Sequence, residues 1–185
     1  MIIVIVGKPA SGKSTAAEAL KEMGFSVAST GSVIRDEVRR RGLEYNKEND
    51  AKMGEWFHQD NRESLVIKRL LKKVSGDKIA LEGLRDPSQL EELKKNVRDE
   101  IVIIAVDADF EERARRLGKR ARFTEETEDY LKSREEREFR HGELKFIEKA
   151  HYKIDNTDLT IDEFKEEVKK LANKLLERKE TDAKI

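Results

Sequence analysis

The chain has 185 residues, and its 39 basic and 39 acidic side chains cancel to a net charge of zero. That length suits one domain with a self-sufficient core, and the balance argues against a general nucleic-acid or anionic-membrane binder while leaving room for a local basic site. No cysteine is present, which removes disulfide frameworks, zinc–cysteine sites and thiol nucleophiles.

Ile2 to Val6 is a β-branched run that stops at Gly7 and reads as a buried strand. It is too short for a signal peptide, no basic segment precedes it, and no stretch is apolar enough to span a bilayer, so a cytoplasmic protein is expected. Gly7-Lys8-Pro9-Ala10-Ser11-Gly12-Lys13-Ser14 then satisfies GxxxxGK[ST], followed by a helix from Thr15 that is apolar at Ala16, Ala19 and Leu20. The residue types suit a phosphate loop. Gly7 and Gly12 let the backbone curl, so that N–H groups from Gly7 through Ala10, Ser11 and Thr15 can face phosphate oxygens. The helix N-terminus adds its dipole, Lys13 reaches the β- and γ-phosphates, and the Ser14 hydroxyl ligates Mg²⁺. The motif specifies ATP-type binding with magnesium and leaves the acceptor open.

Ser26-Val27-Ala28 is a weaker strand, followed by Ser29-Thr30-Gly31 and a charged helix bearing Arg35. Taken alone, Arg35 is either a guanidinium fork near an anion or a solvated helix charge. About 43–62 is polar and helical and reads as a mobile insertion; Trp56 and Phe57 within it either stack on a base or pack beneath a flap. Lys78 to Leu81 is the next strand. Glu82 at its carboxyl end either orders water on the metal or caps a turn, and Gly83 lets backbone approach a ligand beside Arg85.

Asp86-Pro87-Ser88-Gln89, Asp109-Phe110-Glu111-Glu112 and Thr160-Ile161-Asp162-Glu163 are capping boxes that start helices. Ile101 to Val106 is a strong strand and Tyr152 to Ile154 a short last one. Arg113, Arg115, Arg116, Lys119, Arg120 and Arg122 form a basic run in which Arg113 and Arg116 are expected to pair with acids on their own helix. Arg134 and Arg137 follow on the next helix, and His141-Gly142 marks a helix break. His58 and His141 show no partner that suggests a metal or catalysis, and His151 reads as strand-edge packing. The final helix is striped by Ile161, Phe164, Val168, Leu171 and Leu175, with fraying expected after Glu177. Two prolines and the high density of paired charges fit a thermophile. Continuous apolar strands separated by helices predict an α/β fold with a parallel sheet covered on both faces.

Several segments resemble a family. Ser29-Thr30-Gly31-Ser32-Val33-Ile34-Arg35 is similar to the STGDxLR segment of adenylate kinases and related nucleoside-monophosphate kinases, with Ser32 in place of the usual Asp. Leu81-Glu82-Gly83-Leu84-Arg85 resembles their DGFPR segment without its proline. Val102 through Arg122 resembles their strand, helix and arginine-rich lid. Ala150-His151-Tyr152-Lys153-Ile154-Asp155-Asn156 resembles the ADYVIDN segment of dephospho-coenzyme-A kinases. Together these look like an archaeal adenylate-kinase-related P-loop family.

The resemblance implies one three-layer P-loop NTPase domain over 1–185, with a five-stranded parallel sheet, the insertion at about 43–62 and a lid at about 118–142. It implies that Thr30 and Gly31 line the acceptor base, that Arg35, Gly83 and Arg85 hold the acceptor, and that Asn156 neighbours adenine. Arg120, Arg134 and Arg137 close over the phosphates together with Lys13, and Ser14 and Glu82 serve Mg²⁺. The expected activity is phosphoryl transfer from ATP to a nucleotide-like small-molecule acceptor. Dephospho-coenzyme-A kinase and an ATP-hydrolysing switch or assembly factor are the alternatives. A hydroxyl acceptor would need a base, for which Glu82 or Asp36 are candidates. Monomer and homodimer both remain open.

Overall fold

The computed structural model describes residues 1–59, 62–120 and 127–182, without the side chains of Arg120 and Asp182. Its strands are β1 (Ile2–Val6), β2 (Ser26–Ser29), β3 (Ile79–Glu82), β4 (Ile101–Asp107) and β5 (Tyr152–Asp155). They form a five-stranded sheet in the order β2-β3-β1-β4-β5, and every pairing is parallel. The helices are α1 (Lys13–Glu22), α2 (Thr30–Arg40), α3 (Lys47–His58), α4 (Glu63–Leu71), α5 (Pro87–Asn96), α6 (Phe110–Arg120), α7 (Glu128–Arg140), α8 (Glu143–Glu148) and α9 (Ile161–Asp182).

β1 lies at the centre, with Val4 in register with Leu81 on one side and Ile103 on the other. All its residues are buried because helices cover both faces. The period of two divides them. Ile2, Val4 and Val6 face a core built with α2, α3, α4, α5 and α8, whereas Ile3 and Ile5 face α1 and α9. The chain passes from β1 to β2 and β3 on one side and then crosses to β4 on the other. That reversal opens a crevice at the carboxyl ends of the strands, where α/β sheets of this kind hold ligands.

The local signals at two helix starts hold. Asp86 and Gln89 form the expected capping box at α5, with Asp86 Oδ1 accepting from Ser88 N at 2.8 Å. Thr160 and Glu163 reciprocate at α9, at 2.9 and 3.3 Å. At α6 the expectation fails: the Glu112 carboxylate accepts from Arg115 and Arg116, and the Asp109 N–H goes to Thr157 Oγ1 at 3.1 Å. His141 does end α7, and Gly142, at φ 96°, starts α8. α9 runs through Asp182 rather than fraying at Glu177.

The segment expected as a mobile insertion is anchored. α3 buries Met53 and Phe57 in the main core. Trp56 meets Phe57 edge to face and carries the guanidinium groups of Arg41 and Arg62 over its ring, so it packs rather than presenting a face to the crevice.

Candidate functional site

The loop between β1 and α1 is tightly curled. Ala10 is left-handed at φ 62° and Gly12 sits at φ 116°. A Cβ on Gly12 would collide with Asn156 Nδ2 and stand 3.3 Å from Phe164, so glycine is what admits those neighbours. Lys13 opens α1, where the first N–H groups have no partner within the helix. Its ammonium donates to the Gly7 carbonyl and, at 2.8 Å, to the Lys8 carbonyl. Burial holds its pKa below the usual lysine value, opposed by the nearby carboxylates of Glu143 and Glu138.

The loop is stapled from behind. Asn156 Nδ2 donates to the Ser11 carbonyl at 2.8 Å, and Arg116 donates to Ser11 O at 3.1 Å and to Asn156 O at 2.5 Å. Arg113 donates to Ala108 O at 2.8 Å and Pro9 O at 3.3 Å, and it ion-pairs with Glu135. Arg116 does pair with Glu112 on its own helix, but the acid that meets Arg113 is on α7. Both arginines therefore brace the phosphate loop, a role their sequence neighbourhood did not reveal. Gly7 and Ser11 belong to this underside rather than to the cavity wall, and the Ser11 hydroxyl is buried without a partner among the described residues.

In front of the loop opens a cavity of about 940 Å³, a size that accommodates a nucleotide. Ala10, Gly12, Lys13, Ser14, Thr15 and Asn156 line its phosphate-loop side. Ser14 Oγ donates to Glu82 Oε1 at 2.9 Å. These hard oxygen donors, at the start of α1 and the end of β3, suit Mg²⁺.

Thr30, Gly31, Arg35, Gly83 and Arg85 line the other side. Thr30 Oγ1 donates to Gly83 O at 2.7 Å, which ties the start of α2 to the turn after β3. Ser32 has a local use here: its N–H is capped by Ser29 Oγ at 3.1 Å and its hydroxyl donates to Ser29 O at 2.7 Å. Arg35 lines the cavity with no hydrogen-bond or ion-pair partner among the described residues. Asp36 faces away: it pairs with Lys73 at 2.5 Å and Arg39 at 3.6 Å, so the structure removes it as a candidate base.

Arg134 and Arg137 reach the cavity from α7. The side chain of Arg120, and residues 121–126 with Arg122 in the expected lid, lie outside the described residues.

Two buried acids had not been anticipated. Glu138 accepts from Arg134 Nε at 2.9 Å and lies 3.2 Å from Arg85 Nε. Burial alone would raise its pKa, but Arg85, Arg134 and Lys13 outweigh that and hold it below the usual carboxylate range. Glu143 is 1% exposed; burial, and then the Glu138 charge, push its pKa up to about 8. The i,i+4 spacing of Arg134 and Glu138 was readable in the sequence, but it looks like any surface helix pair.

His58 and His141, which showed no partner in the sequence, stack on each other at 3.8 Å on the cavity wall. His58 Nδ1 is also 3.9 Å from Asp86, and His141 is 3.3 Å from Glu55. Burial and the neighbouring His141 push the His58 pKa down to about 4, so its ring is neutral at ordinary pH. His151 accepts from Ile103 N at 2.9 Å at the sheet end, which is a packing role.

A family model described as an AAA domain matches residues 3–141. A UPF0200 protein of Methanothrix thermoacetophila is 34% identical over 179 residues, covering 94% of this chain and 97% of the relative. A UPF0200/UPF0201 protein of Archaeoglobus fulgidus is 32% identical over 180 residues; the match spans 94% of this chain but only 55% of that longer relative. Among solved structures, shikimate kinase from Acinetobacter baumannii in complex with shikimate superposes with a TM-score of 0.61 at 17% identity, covering 96% of this chain and 94% of that one. The fold is thus the α/β P-loop kinase-like fold with an all-parallel sheet.

Proposed function

The chain belongs to the AAA-domain family of P-loop proteins and to the UPF0200 proteins, and on that footing we propose that it is an ATP-dependent phosphotransferase acting on a nucleotide-like small molecule. One observation carries this reading: Lys13 on the phosphate loop and Arg35, Arg85, Arg134 and Arg137 from three other segments all converge on one cavity. Phosphoryl transfer is catalysed mainly by positioning and by positive charge around the equatorial oxygens, and this is the charge pattern that serves it.

ATP lies with its phosphates against Ala10, Gly12, Lys13, Ser14 and Thr15 of the loop. Phosphate oxygens take over the Lys13 donors now given to Gly7 and Lys8. Ser14 and Glu82 would hold Mg²⁺, which would supply positive charge to offset that of the phosphates. The acceptor lies between α2 and the turn after β3, with Thr30, Gly31 and Gly83 shaping its seat. Arg35 and Arg85 grip its anionic group, suited to bidentate contact by their planar forks. Arg134 and Arg137 cover the transferring group and exclude water. An acceptor phosphate is already anionic and needs no base.

The test is a panel of nucleoside monophosphates and dephospho-coenzyme A with γ-labelled ATP. Label appearing in a monophosphate supports the reading. Label on a hydroxyl of dephospho-coenzyme A moves it to the alternative kinase. ADP and inorganic phosphate with no labelled acceptor moves it to a hydrolytic switch.

A further inference from the structure

Lys13, Arg85 and Arg134 line one cavity, and three cations left together in a partly buried site repel. Something must hold them there before any phosphate arrives. Glu138, 4% exposed, sits beneath two of them. Its Oε1 meets Arg134 Nε at 2.9 Å and Arg85 Nε at 3.2 Å.

Which nitrogens are used matters. Both approaches are to Nε, on the inner edge of the guanidinium: Arg134 Nε donates a hydrogen bond, and Arg85 Nε stands at ion-pair distance without one. The terminal nitrogens of Arg85 and Arg134 make no hydrogen bond among the described residues, and both side chains line the cavity beside Lys13. The two arginines come from α7 and from the turn after β3, so Glu138 is also what ties those two segments at the site.

Behind Glu138 stands Glu143, whose buried carboxyl feels the Glu138 charge. Glu138 Oε2 and Glu143 Oε2 are both buried with no hydrogen-bond partner among the described residues. A proton on Glu143 leaves a single negative charge facing the arginines. A second ionised carboxylate there would be unpaired and costly.

We infer that Glu138 is a positioning residue that aims the free edges of Arg85 and Arg134 at the transferring phosphoryl group. This rests on the phosphotransferase reading. Glu138 does not touch substrate; it acts through the two guanidinium groups.

The experiment is a double-mutant cycle in kcat on the full chain: wild type, Glu138→Gln, Arg134→Ala and the double variant, with melting temperature measured on each. Turnover is read as transfer to the labelled acceptor or, where none is labelled, as ADP release. Glu138→Gln is expected to lower kcat about 10²-fold while KM for ATP stays within about threefold, because mispositioned donors are lost in the transition state first. The double variant is expected to be no slower than the slower single variant, since both remove one unit. Additive losses, or a Glu138→Gln enzyme with wild-type or higher turnover, overturn the inference; higher turnover would make Glu138 a plug in the anion site. Lys13→Ala in the same assay keeps the two ideas apart. Wild-type turnover in Lys13→Ala sinks the phosphotransferase reading itself, whereas an inactive Lys13→Ala beside an unimpaired Glu138→Gln sinks only the positioning role. If Glu138→Gln does not fold, Glu138→Asp carries the test: its shorter reach draws both forks back, and kcat is expected to fall about tenfold with KM for ATP held. Undiminished kcat in that variant overturns the inference.

Discussion

Gly83 has a left-handed backbone at φ 84°, and a Cβ there would stand 2.8 Å from Thr30 Oγ1. Gly83→Ala therefore forces the Thr30 hydroxyl off the Gly83 carbonyl and strains the turn that carries Arg85. The expected result is a stability loss of about 1–3 kcal/mol and a higher KM for the acceptor, with KM for ATP little changed. Denaturant titration and steady-state kinetics check both halves. Glu143 makes a prediction in pH. Its carboxyl is raised from 4.5 to about 8 by burial and then by Glu138, so the folded chain keeps a proton that the unfolded chain gives up. The resulting stability is fully present below about pH 4.5 and is lost as pH rises through about 8. Comparing the urea stability of wild type and Glu143→Gln from pH 5 to 9 isolates it. The difference should grow in favour of the glutamine variant as pH rises, and a difference that stays flat across that range refutes the assignment.

Among the elements, α2 shows how a buried acid organises helices as well as a site. Glu37 is fully buried, and it bonds Arg40 at 2.8 Å, Arg41 at 2.7 Å and Arg69 of α4 at 2.7 Å. Arg40 first, then Arg69 and Arg41, hold its carboxyl well below the usual range against the opposing effect of burial. Glu37→Ala strands Arg69 against the α2–α4 junction. The expected loss is about 2–3 kcal/mol, less than for a fully buried pair because the arginines are partly solvated, and thermal unfolding measures it. The elements legible in the sequence were those whose signals are local. The β1 and β4 runs and the boxes at Asp86 and Thr160 involve neighbours a few residues apart. The box at Asp109 failed because Arg115 and Arg116 compete for Glu112 from the same helix. α3 looked like a polar flap because only Met53 and Phe57 are buried in it, too few to stand out from its charged positions.

For the whole molecule, zero net charge and a basic crevice coexist because the acids are unevenly placed. Lys165 and Lys169 on α9 meet Glu22 of α1 at 2.8 and 3.0 Å, whereas Arg35 and Arg137 line the cavity without a partner among the described residues. Among the described residues no helix is long and apolar enough to cross a membrane. The motif residues of the site were legible, since a phosphate loop is contiguous in sequence. Glu138 and Glu143 were not, because what distinguishes them is the contact of Glu138 with Arg85 and the nearby charge of Lys13, which the fold brings from distant segments. The central claim is that Lys13 and the converging arginines move a phosphoryl group. It is tested most directly by following label from γ-labelled ATP into a nucleotide acceptor with wild type and Lys13→Ala side by side, both shown to be folded. Transfer by wild type and a loss of about 10³-fold or more in the variant are expected; equal transfer by the two proteins, or none by wild type with any acceptor, would overturn it.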